Sequence, residues 1–283
     1  MSVLNSQSVT VQGRGLALLA GLLWSFAGIF IKSFALPALM IVAYRSLFAS
    51  LFFGCFLRRR TWKLSYPLAL SVVSYTAAIS FFIVSNQLTT AANAIILQYT
   101  APAFIYMILR LVFREAIQQR NLLTLSLSML GVAVIFVGSG GGDNLWGVSV
   151  ALLSGLLLAV FMINLRNLAS SDPVAVTFLN NLACFLILLP FIAADAIPSH
   201  RDLISLAVMG VVQLGIPYFL FSKALEKIPL QEASLVVLVE PVLNPLWVAW
   251  GVGELPSTST LLGGGMILFS LAIRYTWLTR GRR

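Results

Sequence analysis

Ten apolar runs, each about as long as a bilayer is thick, are strung along this 283-residue chain. They fall at about 15–35, 37–57, 66–87, 91–113, 122–138, 146–165, 173–194, 203–225, 231–252 and 259–278. A helix needs roughly 20 apolar residues to cross the hydrocarbon layer. Every run is near that length, the one at 122–138 being the shortest, and the links between runs are short. Soluble folds are excluded, because hydrophobic residues make up 59% of the chain and charged ones 10%, whereas soluble domains carry about 25% charged residues. The expected fold is an all-α integral membrane protein of ten transmembrane helices with no soluble domain. The first thirteen residues carry no charge, unlike the basic start of a cleaved signal, so the first run is expected to persist as a helix.

The net charge of +9 would point to nucleic acid in a soluble chain. Here its placement matters instead. With the N-terminus cytoplasmic, fifteen of the eighteen Lys and Arg residues fall at cytoplasmic ends and links, including Arg58, Arg59, Arg60, Lys63, Arg110, Arg114, Arg120, Lys223 and Lys227. Lys32 and Arg201 face the other side, and Arg45 lies within the second run. Acidic residues divide evenly. A bias confined to Lys and Arg is the positive-inside pattern, and it predicts both termini in the cytoplasm. Trp62, Tyr66, Trp146, Tyr275 and Trp277 stand at run ends, where amphipathic rings favour the headgroup layer. Cys55 and Cys184 sit in apolar runs as core residues, and the single His200 has no second ligand nearby; no metal and no cofactor are expected.

The two halves match weakly but in order. A shift of 134 lays Gly13, Ala17 and Gly21 on Gly147, Ala151 and Gly155. A shift of 136 lays Pro37 on Pro173, and a shift of 139 lays Phe82, Ala94, Pro102 and Glu115 on Phe221, Ala233, Pro241 and Glu254. Repeats at 1–142 and 143–283 are therefore expected. With five spans each, the second enters the membrane inverted, an arrangement typical of alternating-access transporters.

The stretch Leu238–Glu254, LVEPVLNPLWVAWGVGE, resembles the ninth-helix signature of EamA-type members of the drug/metabolite transporter superfamily. Ala94–Glu115 resembles its degenerate partner in the fourth helix, with Pro102 and Glu115 at the matching places. Chain length and the opening GLLWSFAGIFIK resemble the bacterial aromatic amino-acid exporters of that superfamily. The resemblance implies ten helices in two halves, a location in the bacterial inner membrane and the export of a small molecule. It also makes Glu115 and Glu254 the terminal glutamates of the two signatures, where a structural role at the start of the next helix is expected.

Ionisable groups inside a membrane are functional candidates by default. Glu240 lies about ten residues into the ninth run and Arg45 about nine into the second. Glu240 is expected to bind solute or to tie helices together. Arg45 has three options: holding a solute carboxylate, snorkelling to the headgroups, or pairing with Glu240. Pro102, Pro241 and Pro245 remove backbone donors and are expected hinges. Trp24, Ser25 and Gly28 share a helical face, as do Ser71, Tyr75, Ala78, Phe82 and Asn86. Asn93, Gln98 and Tyr99 in the fourth run, Phe161 and Asn164 in the sixth, and Gln213, Pro217 and Tyr218 in the eighth add amides and rings. The binding candidates are Trp24, Ser25, Tyr75, Phe82, Asn86, Gln98, Tyr99, Phe161, Tyr218, Glu240 and Asn244. A midplane cavity lined this way suits large neutral or aromatic solutes. The competing account of each residue is helix packing through small groups and amide bridges.

The functional expectation is an exporter of amino acids, aromatic or large neutral ones, working by alternating access, with the solute and the lipid bilayer as partners and no nucleic acid. Oligomeric state is open, a monomer being the simpler expectation. The alternative is a polyspecific drug or metabolite efflux transporter of the same fold. A membrane-embedded lipid-modifying enzyme would need clustered acids or His near the interface, which are scattered here. The chain has no GxxxxGK[ST] loop for direct ATP use.

Overall fold

The computed structural model describes residues 2–57, 65–114, 119–138, 143–168, 171–192, 197–229, 232–233 and 236–280. These residues contain thirteen α-helices and no strand. In chain order they are α1 Ser2–Trp24, α2 Ala27–Ser33, α3 Ala38–Gly54, α4 Tyr66–Leu88, α5 Ala91–Gln98, α6 Ala101–Leu111 and α7 Gln119–Gly138. There follow α8 Asp143–Asn164, α9 Pro173–Leu188, α10 His200–Val208, α11 Ile216–Leu225, α12 Val239–Val252 and α13 Thr258–Arg280.

Among the described residues, six helical stretches are long and apolar enough to cross a membrane: Val9–Ser33, Tyr66–Leu88, Ala91–Leu111, Asn144–Leu168, Pro173–Phe191 and His200–Leu225. Ala38–Gly54, Leu125–Gly138 and Thr258–Ile273 are apolar but shorter. The chain is a multi-pass membrane protein. Tyr66 and Trp146 are largely exposed at their helix starts, whereas Trp62 lies outside the described residues. Helix starts coincide with capping residues in the links. Ser65 accepts from Leu68 N–H, Thr90 from Asn93 N–H, and Asp172 from Val174 N–H, while Ser199 and Asp202 form a reciprocal capping box. Such caps satisfy backbone donors that a helix leaves without internal partners.

Two features of the helices differ from the expected pattern. The polar start is helical from Ser2 onward rather than from residue 15, with no Pro in it to remove a backbone donor. Between α10 and α11 the segment Met209–Gly215 is π-helical, and Ile216 N–H reaches Val211 O. Pro217 has no N–H to donate one turn back, and the wider π turn absorbs that misfit.

Packing sorts the helices into two groups and a pair. In one group α1 packs on α11, α2 on α12, and α3 on α10 and the π segment. In the other, α4 packs on α8 and α9, and α5 and α6 both pack on α8. The groups meet where α3 lies along α9 and α12 touches α5. Helices α7 and α13 pair with each other at a glycine crossing. A Cβ at Gly131 would stand 2.5 Å from Gly263 O, and Ser128 and Ser270 hydroxyls bond at 2.7 Å nearby. With no hydrophobic drive between helices in lipid, such small-residue approach and hydroxyl bonding hold the pair together.

Candidate functional site

Three helices that begin or end near mid-span bring the polar side chains together. Helix α1 stops at Trp24, and a turn at Ser25–Phe26 leads into α2. The fourth run breaks at Tyr99–Thr100, so that Pro102 lies in the first turn of α6. The ninth run turns at Val237–Leu238, so that Pro241 lies in the first turn of α12, with Pro245 inside the helix. Proline in a first turn removes a donor that has no acceptor anyway. Both broken runs thus place their prolines just after the break.

Across these breaks Tyr99 donates its hydroxyl to Glu240 Oε2 at 2.7 Å. This bond joins α5 to α12 through half-buried side chains. Aromatic pairs lie on neighbouring helices. Trp24 meets Tyr218 edge-on with ring centroids 5.1 Å apart, and meets Phe221 at 5.4 Å. Tyr75 lies 5.4 Å from Phe161, and its hydroxyl donates to Asn181 Oδ1 at 3.0 Å. Gln213, on the π segment, donates to Trp24 O at 3.1 Å. Trp24, Tyr99, Phe161, Tyr218 and Glu240 are only half-buried, while Tyr75 and Gln213 are buried.

Other candidates are engaged in helix contacts. Ser25 is fully buried, donates to Leu22 O and accepts Trp247 Nε1–H at 2.8 Å. The turn after Trp24 rotates Gly28 away from the Trp24 ring and onto α12, beside Asn244 and Val248. Gln98 donates to Ser154 at 3.0 Å, and Ser154 donates to Ala78 O. Ser71 pairs with Asn180. Phe82 and Asn86 are buried, with Asn86 Nδ2 donating back to Phe82 O at 2.9 Å. Asn164 donates to Pro67 O. Asn93 donates to Thr89 Oγ1 and accepts from Thr260. Asn244 is fully buried, and neither its Oδ1 nor its Nδ2 has a hydrogen-bond partner.

Arg45 is the most consequential placement. It is 2% exposed at the middle of α3. That removes snorkelling, because the guanidinium stays inside the protein. Among the described residues it has no carboxylate within ion-pairing distance, and Nε and Nη2 have no hydrogen-bond partner. Its electrostatic neighbours are Tyr75, Cys184 and Tyr218, and Tyr218 in turn faces both Arg45 and Glu240. A centrally placed arginine costs about 2.5–3.5 kcal/mol on insertion scales. Sequence reasoning put Arg45 among the ionisable residues but outside the binding set. It passed over Asn180, Asn181 and Trp247, although two adjacent amides within an apolar helix are a readable signal.

At one end of the molecule Glu254 gathers three helices. Its Oε2 pairs with Lys32 Nζ at 2.6 Å, and its Oε1 accepts Ala91 N–H at 2.7 Å. Lys32 also donates to Thr89 O at 2.8 Å. Gly253 takes φ of 77°, ending α12 in the left-handed conformation that glycine adopts without strain. Glu254 is thus structural, and the helix it caps is α5, far away in sequence, not the helix that follows it. Its counterpart Glu115 lies outside the described residues. Midway along α1, Arg14 bonds Glu232.

The EamA-like transporter family model matches the chain twice, over residues 12–137 and 145–276. The chain belongs to that family. An uncharacterized transporter of Archaeoglobus fulgidus is 30% identical over 208 residues, covering 73% of this chain and 72% of that protein. The uncharacterized transporter YxxF of Bacillus subtilis is 27% identical over 262 residues, covering 87% and 84%. A solved crystal structure superposes with a TM-score of 0.67 at 16% identity, over 98% of this chain and 99% of that one. It shares the fold. The protein is accordingly a membrane transporter.

Proposed function

We propose that this EamA-family transporter exports amino acids, aromatic or large neutral ones, across the bacterial inner membrane. The observation that carries the reading is the Tyr99–Glu240 bond between two broken helices, with Tyr218 an electrostatic neighbour of Glu240 and the ring pairs Trp24–Tyr218 and Tyr75–Phe161 on neighbouring helices. Flat aromatic faces hold an apolar side chain by stacking and dispersion, and Glu240 offers an acceptor for an ammonium group. In this reading the chain spans the membrane ten times with both termini in the cytoplasm. Its halves, 1–142 and 143–283, are inverted repeats that rock about the site, with Pro102, Pro241 and Pro245 at the points of flexure. The protein works as a monomer, without cofactor, on a small solute within the bilayer.

The test is uptake of radiolabelled Phe, Trp, Met and Thr into proteoliposomes holding the purified protein. Saturable flux for the aromatic pair, exceeding that for Thr, is expected. No flux for any of the four would overturn the reading. The half-buried Glu240 also favours a second reading, efflux of organic cations or other metabolites, because an acid facing rings suits a cation. Transport of tetraphenylphosphonium with no amino-acid flux would decide for it.

A further inference from the structure

The proposed site leaves one charge uncompensated. Arg45 is buried at the centre of α3, and among the described residues no atom accepts from its Nε or Nη2. Its backbone is held in place. A Cβ on Gly210 of the π segment would lie 2.6 Å from Arg45 O, and the adjoining Ser46 bonds Cys184 Sγ at 3.5 Å. With its backbone packed in this way, Arg45 keeps two guanidinium donors unused, Nε and Nη2, the pair that matches the two oxygens of a carboxylate. Its electrostatic neighbours are the phenols of Tyr75 and Tyr218 and the Cys184 thiol, and among the described residues no acid neutralises it. Such a charge is strongly disfavoured unless an anion joins it.

We propose that Arg45 is the carboxylate receptor of the transport site, so that every solute carried bears a carboxylate. Tyr218 is an electrostatic neighbour of both Arg45 and Glu240, so the two charges belong to one neighbourhood. An α-amino acid has its carboxylate and ammonium two bonds apart, and lies in this field with the carboxylate toward Arg45 and the ammonium toward Glu240. The inference rests on the proposed amino-acid reading for the ammonium half alone. The carboxylate half stands on Arg45 itself.

Three ligands with one ring separate these elements: phenylalanine, 3-phenylpropionate without the ammonium, and phenylethylamine without the carboxylate. They are tested as competitors of radiolabelled Phe counterflow in proteoliposomes, and for thermal stabilisation of the detergent-purified protein. Phenylalanine and 3-phenylpropionate are expected to compete and stabilise, with phenylethylamine at least tenfold weaker, as loss of a charge-assisted bond implies. Arg45→Gln should weaken both carboxylates about tenfold or more and leave phenylethylamine unchanged, with Arg45→Lys in between. A monodisperse Arg45→Gln protein with unchanged carboxylate affinity would overturn the inference. So would phenylethylamine competing as well as 3-phenylpropionate in the wild type, a result that needs no variant to fold. If the wild type shows no Phe counterflow, the amino-acid reading falls. Stabilisation by 3-phenylpropionate then still decides for Arg45, and its absence against.

Discussion

Gly28→Ala is the smallest change that probes how α2 and α12 close on each other. A Cβ at Gly28 would stand 2.5 Å from Asn244 Oδ1, 2.8 Å from Val248 Cγ2 and 3.0 Å from Asn244 Nδ2. Non-bonded carbon contacts settle near 3.5 Å, so α12 must retreat about 1 Å or Asn244 must turn. Asn244 and Val248 are 0% and 1% exposed, which leaves the amide little room, and Val248 is stiff at its branched Cβ. Overpacking of this kind costs about 1–3 kcal/mol. If the cost falls only on conformations in which α2 and α12 are packed, their population drops about 5- to 150-fold. Thermal unfolding of the purified variant should show the stability loss, and initial-rate uptake the functional one. Asn244→Ala in the Gly28→Ala background removes two of the three offending atoms and should recover part of the lost stability, giving a favourable coupling between the two sites. Gly28→Ala with wild-type unfolding and wild-type uptake would refute the packing argument.

Tyr99→Phe removes the donor to Glu240 and should lower stability by about 1.5 kcal/mol; combined with Glu240→Gln, the losses should fall short of additive in a thermal double-mutant cycle. Glu254→Ala takes the acceptor from Ala91 N–H and the partner from Lys32, with an expected loss of about 1–3 kcal/mol, between exposed and buried pairs. Glu254→Gln keeps the acceptor and should lose less, so equal unfolding shifts for the two variants would count against the capping role. Gly131→Ala presses on Gly263 O and should destabilise the α7–α13 pair by about 1–3 kcal/mol, while the KM for solute stays put, because neither helix carries a binding candidate.

Much of the fold was legible because membrane insertion acts on local composition. Apolar runs near 20 residues mark helices whatever they pack against, and the run limits lie within a few residues of α3, α4, α8 and α9. Pro102 and Pro241 marked the breaks for an equally local reason, the absent N–H. The turn at Ser25–Phe26 had no such marker, since no Pro or Gly stands there. The face-sharing expected of Trp24, Ser25 and Gly28 therefore dissolved once the chain changed direction.

Local reasoning reaches its limit where partners are distant in the chain. Tyr99 and Glu240 are separated by 141 residues, and Ala91 and Glu254 by 163; no periodicity announces either bond. For Arg45 the sequence set out three outcomes of comparable cost and had no means of ranking them. Its apolar surroundings established that a charge lies within the membrane, since hydropathy sums along the chain. Only the tertiary structure decided that the charge is neither snorkelled to the surface nor paired with Glu240, because burial and pairing depend on which helices pack around α3.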